Sequence, residues 1–127
     1  MLRSVAAEHP RQEAVVDTSV EPTVRLSYGE VLDRVDGVAA AVIAAGVPPG
    51  DRVAILLPSS VDYAISAAAV LLIGGIATGI DPRLRPREVR AILAKSSPAL
   101  LIASDGQELP EGISTAQLRR SDLAGAY

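Results

Sequence analysis

Only a few side chains in this sequence have the type and spacing that enzyme chemistry requires. Gly74 and Gly79 are spaced like the glycines of a nucleotide-binding phosphate loop, but Ile80-Asp81 stands where that loop needs Lys followed by Ser or Thr. His9 is the single histidine, and one histidine cannot build a multi-histidine metal site. Lys95 is the single lysine and lies near the end of a predicted helix, where its charge complements the helix dipole.

Three aspartates, Asp17, Asp51 and Asp81, lie beside predicted strand ends. Carboxylates in α/β domains can hold Mg²⁺ when they follow their strands and meet at one edge of the sheet. Asp51 precedes its strand, so the three do not form such a cluster. We therefore predict that this chain contributes no catalytic, cofactor-binding or metal-binding residue.

The composition is that of a single globular domain with an aliphatic core. The chain has 127 residues, of which 49% are hydrophobic and 21% charged, while Phe, Trp and Cys are absent. A net charge of −3 and an aromatic content of 2% provide neither the basic surface nor the stacking platform of a nucleic-acid binder. The lack of cysteine excludes disulfides and is consistent with the reducing cytoplasm, which is the predicted location.

The sequence predicts a small unit at the N-terminus. Residues 2–8 have the pattern of a short amphipathic helix, which ends where a proline follows. Residues 13–17 and 23–26 are short strand-forming runs separated by turn residues at 18–22. We expect these two runs to form a β-hairpin.

A long helix is predicted to start at a capping box formed by Ser27 and Glu30. The Ser27 hydroxyl can accept a hydrogen bond from the Glu30 amide, while the Glu30 carboxylate accepts one from the Ser27 amide. Gly46 can end the helix because glycine takes the left-handed conformation without steric cost. The predicted buried face consists of Val31, Leu32, Val35, Ala39, Val42 and Ile43.

The following residues alternate between strand and helix patterns. Apolar runs at residues 53–57, 76–80 and 99–103 predict buried strands. The helices between them end before Gly74 in one case and begin at Pro86 in the other. This alternation predicts an α/β fold with a partial doubly wound, mainly parallel sheet, flanking helices and right-handed crossovers.

One uncharged stretch, residues 63–80, reaches the lower length limit of a membrane span. Gly74-Gly75 interrupts it, so we predict a helix and a strand and no transmembrane segment. Residues 64–73 are apolar on every side, and such a helix is either buried in its own domain or covered by something outside it. If it is exposed, it could drive self-association.

The remaining residues, 105–127, lack the regular helix and strand patterns of the residues before them. Gly106, Pro110 and Gly112 are mixed with charged residues, and only residues 115–123 indicate a helical turn or two. We predict a connector here, and a folded unit that spans residues 1–104.

Five short motifs, in one order, resemble the N-terminal part of the adenylate-forming ligase superfamily, which comprises AMP-forming acyl-CoA synthetases and adenylation domains. Residues 26–31 (LSYGEV) are similar to the segment that opens a long helix in that family, and residues 50–60 (GDRVAILLPSS) to its Gly-Asp-Arg-Val strand and helix cap. The helix end at Gly74-Gly75, residues 81–92 (DPRLRPREVRAI) and the strand at 99–103 follow in the family's order. The sequence of residues 81–92 is more similar to the corresponding motif of acyl-CoA synthetases than to that of peptide-synthetase adenylation domains.

The resemblance implies that residues 1–104 are the N-terminal subdomain of a ligase, and residues 105–127 the connector toward its remainder. Such a ligase activates a carboxylic acid with ATP and Mg²⁺ as an acyl-adenylate, and then usually forms a thioester with coenzyme A, as in fatty acid metabolism. In the family, the phosphate loop, the adenine and Mg²⁺ site, most of the acyl pocket and the catalytic lysine all come after the region that this chain resembles. We therefore expect the 127 residues alone to be inactive and to bind no cofactor.

Other functions are compatible with the same residues. The α/β alternation alone would suit a free-standing flavodoxin-like domain that binds a nucleotide or acts in regulation. The family motifs alone would also suit an adenylation-domain fragment of a peptide synthetase. The acyl substrate, its chain length, the choice between coenzyme A and a carrier protein, and the oligomeric state are left open.

Overall fold

The computed structural model describes residues 2–17 and 24–126, and within them it contains the helices and strands that the sequence predicts up to residue 103. The predicted α/β class, with a parallel sheet, flanking helices and a small antiparallel hairpin, is confirmed. The predicted turn at residues 18–22 lies outside the described residues. The bounds are α1 Leu2–Glu8, β1 Glu13–Asp17, β2 Val24–Ser27, α2 Tyr28–Ala44, β3 Arg52–Leu56, α3 Val61–Leu72, β4 Ile76–Gly79, α4 Pro86–Ser96, β5 Leu100–Ala103, β6 Ala116–Arg119 and a 3-10 helix Arg120–Ala126.

The main sheet has four parallel strands in the order β4-β3-β5-β6. Residues 53–56 of β3 are fully buried, because successive side chains enter two different hydrophobic cores. Val53 and Ile55 belong to the core formed with α2 and α3, whereas Ala54 and Leu56 belong to the core formed with α4. The helices therefore cover opposite faces of the sheet, as right-handed crossovers require when the chain reverses its direction across the sheet.

The capping box at the start of α2 is confirmed. The Glu30 amide donates to Ser27 Oγ at 3.2 Å, and the Ser27 amide donates to Glu30 Oε1 at 3.0 Å. These bonds lower the pKa of the Glu30 carboxyl, the backbone bond from Ser27 having the larger effect. Gly46 follows the helix with a φ of 87°, as expected for a left-handed residue after a helix end.

The predicted buried face of α2 needs two corrections. Ile43 is 59% exposed and Leu32 only half-buried, whereas Val38, which was not predicted, is fully buried. Spacing of 3.6 residues per turn places Val38 on the same face as Val31, Val35 and Val42, which all belong to one core cluster, whereas Ile43 is rotated by about 100° from Val42. The apolar face predicted for α2 is therefore wider than the part of the helix that the described residues bury.

The helix α3 is buried along one side only. Ile65, Ala69 and Val70 belong to the core, but Leu71 is 66% and Leu72 47% exposed. Burial of this helix within its own domain is therefore incomplete at Leu71 and Leu72 among the described residues, which leaves open the expected alternative, a cover from outside. None of the helices described, in residues 2–17 and 24–126, is long and apolar enough to cross a membrane.

Residues 116–119 form a strand where the sequence indicated only a helical turn or two. Leu100 and Leu101 of β5 pair in register with Ala116 and Gln117 of β6. The composition concealed this strand because it is short and polar, and its pairing with β5 comes from tertiary structure. The 3-10 helix follows it and carries the buried Leu123 into the core beside α2.

Replacing Glu30 by Gln should reduce the loss of unfolding free energy that occurs when the pH is lowered. A carboxyl whose pKa is lower in the folded state stabilises the protein above its unfolded pKa, and this contribution is lost as the pH falls through the folded value. Glutamine keeps an oxygen that accepts from the Ser27 amide but cannot titrate. Urea unfolding should be measured from pH 7 down to about pH 3, a range that includes the ordinary glutamate pKa of about 4.3. Over this range the unfolding free energy of Glu30→Gln should fall less steeply than that of the wild type. The exposed Glu108→Gln serves as the control, and equal slopes for wild type and Glu30→Gln would contradict the prediction.

Replacing Ser66 by Ala should raise the free energy of unfolding by about 1 kcal/mol, the cost of burying a hydroxyl without a partner. Ser66 is fully buried in α3, and none of the described groups lies within hydrogen-bond distance of its Oγ. The matched control is Ser96→Ala in α4, because Ser96 Oγ donates to the Ile92 carbonyl at 2.7 Å. Chemical denaturation of both variants checks the prediction, and a loss of stability in Ser66→Ala would refute it.

Candidate functional site

The carboxyl ends of the parallel strands form the edge of the sheet where ligands bind in open α/β folds. Three connecting segments meet there: residues 57–60 after β3, residues 80–85 after β4, and residues 104–115 after β5. The chain passes from β3 to β4 over one face and from β4 to β5 over the other, so the segments after β3 and β5 diverge. This divergence opens the edge to solvent.

A cavity of about 760 Å³ lies between the ends of β3 and β4. Its walls are mainly apolar, and its polar groups are a tyrosine hydroxyl, a serine hydroxyl, a carboxylate and a guanidinium. The lining residues are Leu57, Pro58, Ser59, Tyr63, Gly79, Ile80, Asp81, Pro82 and Arg83. A group of mixed apolar and hydrogen-bonding character would fit such walls.

Asp81 and Arg83 form a fixed pair at the rim of this cavity. Asp81 Oδ1 accepts from the Arg83 amide at 2.9 Å and from Arg83 Nε at 3.1 Å, and Asp81 Oδ2 accepts from Nη2 at 2.9 Å. The bonds from the Arg83 side chain, with that from its amide, lower the pKa of the Asp81 carboxyl. The pair holds the segment that leads into α4 in one conformation while the arginine stays exposed.

Tyr63 and Gly79 pack directly against each other at the base of the cavity. Tyr63 lies in the first turn of α3, and its hydroxyl occupies the space that a Cβ on Gly79 would need. A Cβ on Gly79 would therefore displace the Tyr63 hydroxyl, so glycine suits this point of β4 because of the close approach of the tyrosine and not because of its own backbone conformation.

A smaller cavity of about 330 Å³ lies at the point where the chain reverses direction, between β3 and β5. Its charged groups are already paired, because Arg120 Nε donates to Asp62 Oδ2 at 3.2 Å. Behind it, Arg119 Nη1 donates to the carbonyls of Ser104 at 2.7 Å and Gln107 at 2.8 Å. These bonds fasten the segment after β5 to the strand β6.

The same segment is held by two further contacts. Gln107 Nε2 donates to the Pro82 carbonyl at 3.2 Å, which joins it to the rim of the larger cavity. Asp105 Oδ1 accepts from the Ser121 amide at 2.8 Å, and this bond lowers the pKa of the Asp105 carboxyl. These bonds join the segment after β5 to the segment after β4 and to the 3-10 helix.

Most of the described residues that were considered as candidates in the sequence lie away from this edge. His9 is exposed at the end of α1, with Nε2 3.9 Å from Glu8 Oε2, and Lys95 is exposed in the last turn of α4. Gly74 has a φ of 76° and ends α3, so the glycine spacing reflects a helix stop and not a phosphate loop. Asp51, whose Oδ1 accepts from the Arg52 amide at 2.7 Å, lies at the opposite end of β3 from the cavity. Of the candidates that the structure describes, Gly79 and Asp81 reach the candidate site.

No group of three or more His, Asp or Glu side chains in the part of the chain that the structure describes could hold a metal ion. The side chain of Asp17 is not among those described. Tyr63, Arg83 and Arg119 were not predicted as site residues from the sequence. Their positions depend on which strands are neighbours; only Arg83 had a local signal, its place just after the predicted strand 76–80, whereas Arg119 lies in a strand that was not predicted.

Comparison with known proteins reveals several relatives. The sequence profile of the family described as AMP-binding enzyme matches residues 2–124. The chain is 34% identical over 102 residues to the long-chain-fatty-acid–CoA ligase FadD13 of Mycobacterium tuberculosis, which covers 80% of this chain and 20% of that protein. It is also 34% identical over 106 residues to a salicyl-AMP ligase / salicyl-S-ArCP synthetase of the same organism, which covers 83% of this chain and 19% of that protein.

A solved structure has the same fold. The crystal structure of the N-terminal domain of FACL13 from Mycobacterium tuberculosis matches with a TM-score of 0.83 and 30% identity, over 98% of this chain and 34% of that one. The chain therefore spans about a fifth of the length of these curated relatives and about a third of that domain.

Replacing Gly79 by Ala should destabilise the protein by about 1 to 2 kcal/mol, the usual cost of forcing an extra carbon into a packed site. The new Cβ would collide with the Tyr63 hydroxyl. Tyr63→Phe removes that hydroxyl, so the double variant should recover part of the loss. Thermal unfolding of the two single variants and the double variant measures the coupling, and strictly additive effects would contradict the predicted contact.

Proposed function

Because the chain belongs to the AMP-binding enzyme family, we propose that it is the N-terminal subdomain of an AMP-forming acid–thiol ligase of the acyl-CoA synthetase type. In the proposed reaction, a carboxylate oxygen of the acid attacks the α-phosphorus of ATP and displaces pyrophosphate. A thiol sulfur then attacks the acyl carbon of the adenylate and displaces AMP. The match to a CoA ligase at 34% identity over 102 residues carries this proposal.

Coenzyme A is the proposed thiol. The sequence motif of residues 81–92 resembles that of acyl-CoA synthetases, and FadD13 is named a CoA ligase. The salicyl-AMP ligase, also named a salicyl-S-ArCP synthetase, is 34% identical as well and favours a carrier protein as the second candidate. A fatty acid is the proposed acid on the strength of the FadD13 match, with an aromatic acid as the alternative. The cytoplasm, which supplies ATP and coenzyme A, is the proposed location.

The proposed role of this chain is to brace the reaction centre. Its most constrained residues perform structural tasks: Ser27 and Glu30 cap α2, and Gly74 ends α3. Asp81 fixes the start of the segment before α4 by binding Arg83. We propose that residues 1–104 form the bracing subdomain and that residues 105–127, which β6 ties to the sheet, lead toward the remainder of the ligase.

The described residues at the carboxyl edge do not fit ATP and Mg²⁺. A triphosphate needs convergent backbone amides or cations, but Pro58 and Pro82 have no amide hydrogen. Arg83 and Arg120 are bound to Asp81 and Asp62, which would repel phosphate oxygens. The proposed ligase therefore binds ATP, Mg²⁺ and the thiol with residues outside this chain, and no step of the reaction is assigned to these side chains.

The family assignment also favours the ligase over a free-standing flavodoxin-like domain. The strand order β4-β3-β5-β6 is that of the first four strands of a flavodoxin-like sheet. In that alternative, the smaller cavity between β3 and β5 would bind flavin mononucleotide, and its occupation would raise the melting temperature. We propose that flavin mononucleotide causes no such shift.

Exchange of labelled pyrophosphate into ATP tests the proposed function. The 127-residue chain should give no exchange above background. A chimaera, in which residues 2–126 replace the segment of FadD13 that they match, should retain exchange with a fatty acid, since the reacting groups lie elsewhere. We expect its rate to stay within about 100-fold of the parent, the loss that slight misplacement can cause. Exchange by the chain alone, or a folded chimaera without exchange, would contradict the proposal.

A further inference from the structure

The proposed reaction assigns no group to the cavity of about 760 Å³ between the ends of β3 and β4. We name it the β3–β4 cavity. It lies at the carboxyl edge of the sheet, where open α/β folds bind ligands. Its volume falls in the range of about 300 to 1,000 Å³ that is usual for sites of small organic molecules. The cavity is therefore large enough for a ligand of its own.

Hydrogen bonds hold two walls of the β3–β4 cavity in place. In the segment after β3, Ser60 Oγ donates to the Pro58 carbonyl at 3.1 Å. In the segment after β4, the Pro82 carbonyl accepts from Gln107 Nε2 at 3.2 Å. Both prolines line the cavity, and their rings restrict the backbone further. A site whose walls are already ordered loses little conformational entropy when it binds a ligand.

One hydroxyl in the lining of this cavity lacks a hydrogen-bond partner. Tyr63 is half-buried, and none of the described residues forms a hydrogen bond with its hydroxyl. A tyrosine hydroxyl that is removed from water usually finds a partner. Because Gly79 has no side chain, the hydroxyl can lie against β4 at the base of the cavity. From there it can donate a hydrogen bond to a bound molecule and accept one from it.

The two charges at the rim of the β3–β4 cavity balance each other. Asp81 accepts three hydrogen bonds of 2.9 to 3.1 Å from Arg83. An anion that approaches Arg83 is repelled by Asp81, and a cation that approaches Asp81 is repelled by Arg83. The other lining residues are apolar or carry a hydroxyl. The cavity is therefore complementary to an uncharged molecule, which leaves the ion pair intact.

We propose that the β3–β4 cavity binds an uncharged organic molecule with an apolar body and an amide or alcohol group, and that this group forms a hydrogen bond with the Tyr63 hydroxyl. Leu57 and Ile80 provide apolar contacts for the body of the ligand. Gly79 leaves the space that the tyrosine needs in order to face the ligand. The inference goes beyond the proposed ligase reaction and does not depend on it.

Three ligands with the same apolar body test the proposal. At pH 7 octanamide is uncharged, octanoate is an anion and octylammonium is a cation. In nuclear magnetic resonance of the 127-residue chain, octanamide should cause saturable shifts of the Gly79, Ile80 and Arg83 amides. Its affinity should be at least about 10-fold higher than that of the charged ligands, because burying an unpaired charge is costly. Equal or tighter binding of a charged ligand would overturn the proposal, as would equal shifts at the exposed Ile43 and Leu71.

Tyr63→Phe tests the hydroxyl while keeping the ring. It should weaken octanamide binding about 5-fold, the usual contribution of one hydrogen bond. Tyr28→Phe, at the start of α2, is the matched control and should bind like the wild type. Gly79→Ala displaces the Tyr63 hydroxyl and should also weaken binding, whereas Gly106→Ala should not, because a Cβ there meets no atom within 4 Å. Unchanged binding by Tyr63→Phe would overturn the proposal.

The chimaera with FadD13 tests whether the cavity stays open in a whole ligase. It should bind octanamide, and Tyr63→Phe should weaken that binding as it does in the 127-residue chain. A chimaera that exchanges pyrophosphate but shows no binding sensitive to Tyr63→Phe would mean that the rest of the ligase fills the cavity, and would overturn the proposal. A chimaera with such binding but no pyrophosphate exchange would support the cavity site and refute the proposed function.

Discussion

Complete burial of β3 on both faces is the constraint on which the rest of this structure depends. Residues 53–56 have no exposed surface, and their side chains alternate between two separate cores. A strand in this position needs helices on both sides, and the chain supplies α2 and α3 for one face and α4 for the other. Because α3 and α4 must cross on opposite faces, the connecting segments after β3 and β5 part at the carboxyl edge. The open edge is therefore a consequence of how β3 is buried.

Local signals in the sequence were sufficient for most of the fold. The capping box at Ser27, the left-handed glycines after α2 and α3, and the continuous apolar runs of β3 and β5 all act within a few residues, so that pattern analysis could find them. The strand β6 was missed because the polar run AQLR becomes a strand only through pairing with β5. Ile43 was expected to be buried because periodicity measures how apolar a face is, not how much of it the domain can cover.

The candidate site was harder to predict than the fold. Tyr63 and Gly79 are 16 positions apart, and their contact exists only because α3 packs over β4. The paired arginines at the edge depend on the positions of three connecting segments. The resemblance to adenylate-forming ligases came from five ordered motifs, and family membership is confirmed. In the structure those motifs are mostly caps, turns and strand starts.

The order of the strands in the sheet also affects how the chain can be assembled. β3 is the first strand of the four to be synthesised, yet it occupies an inner position, with β4 added on one side and then β5 and β6 on the other. Each new strand emerging from the ribosome thus finds its pairing partner already made, and none has to be inserted between two strands that have already joined. The sheet can grow outward from the inner strand β3 in the same direction as translation.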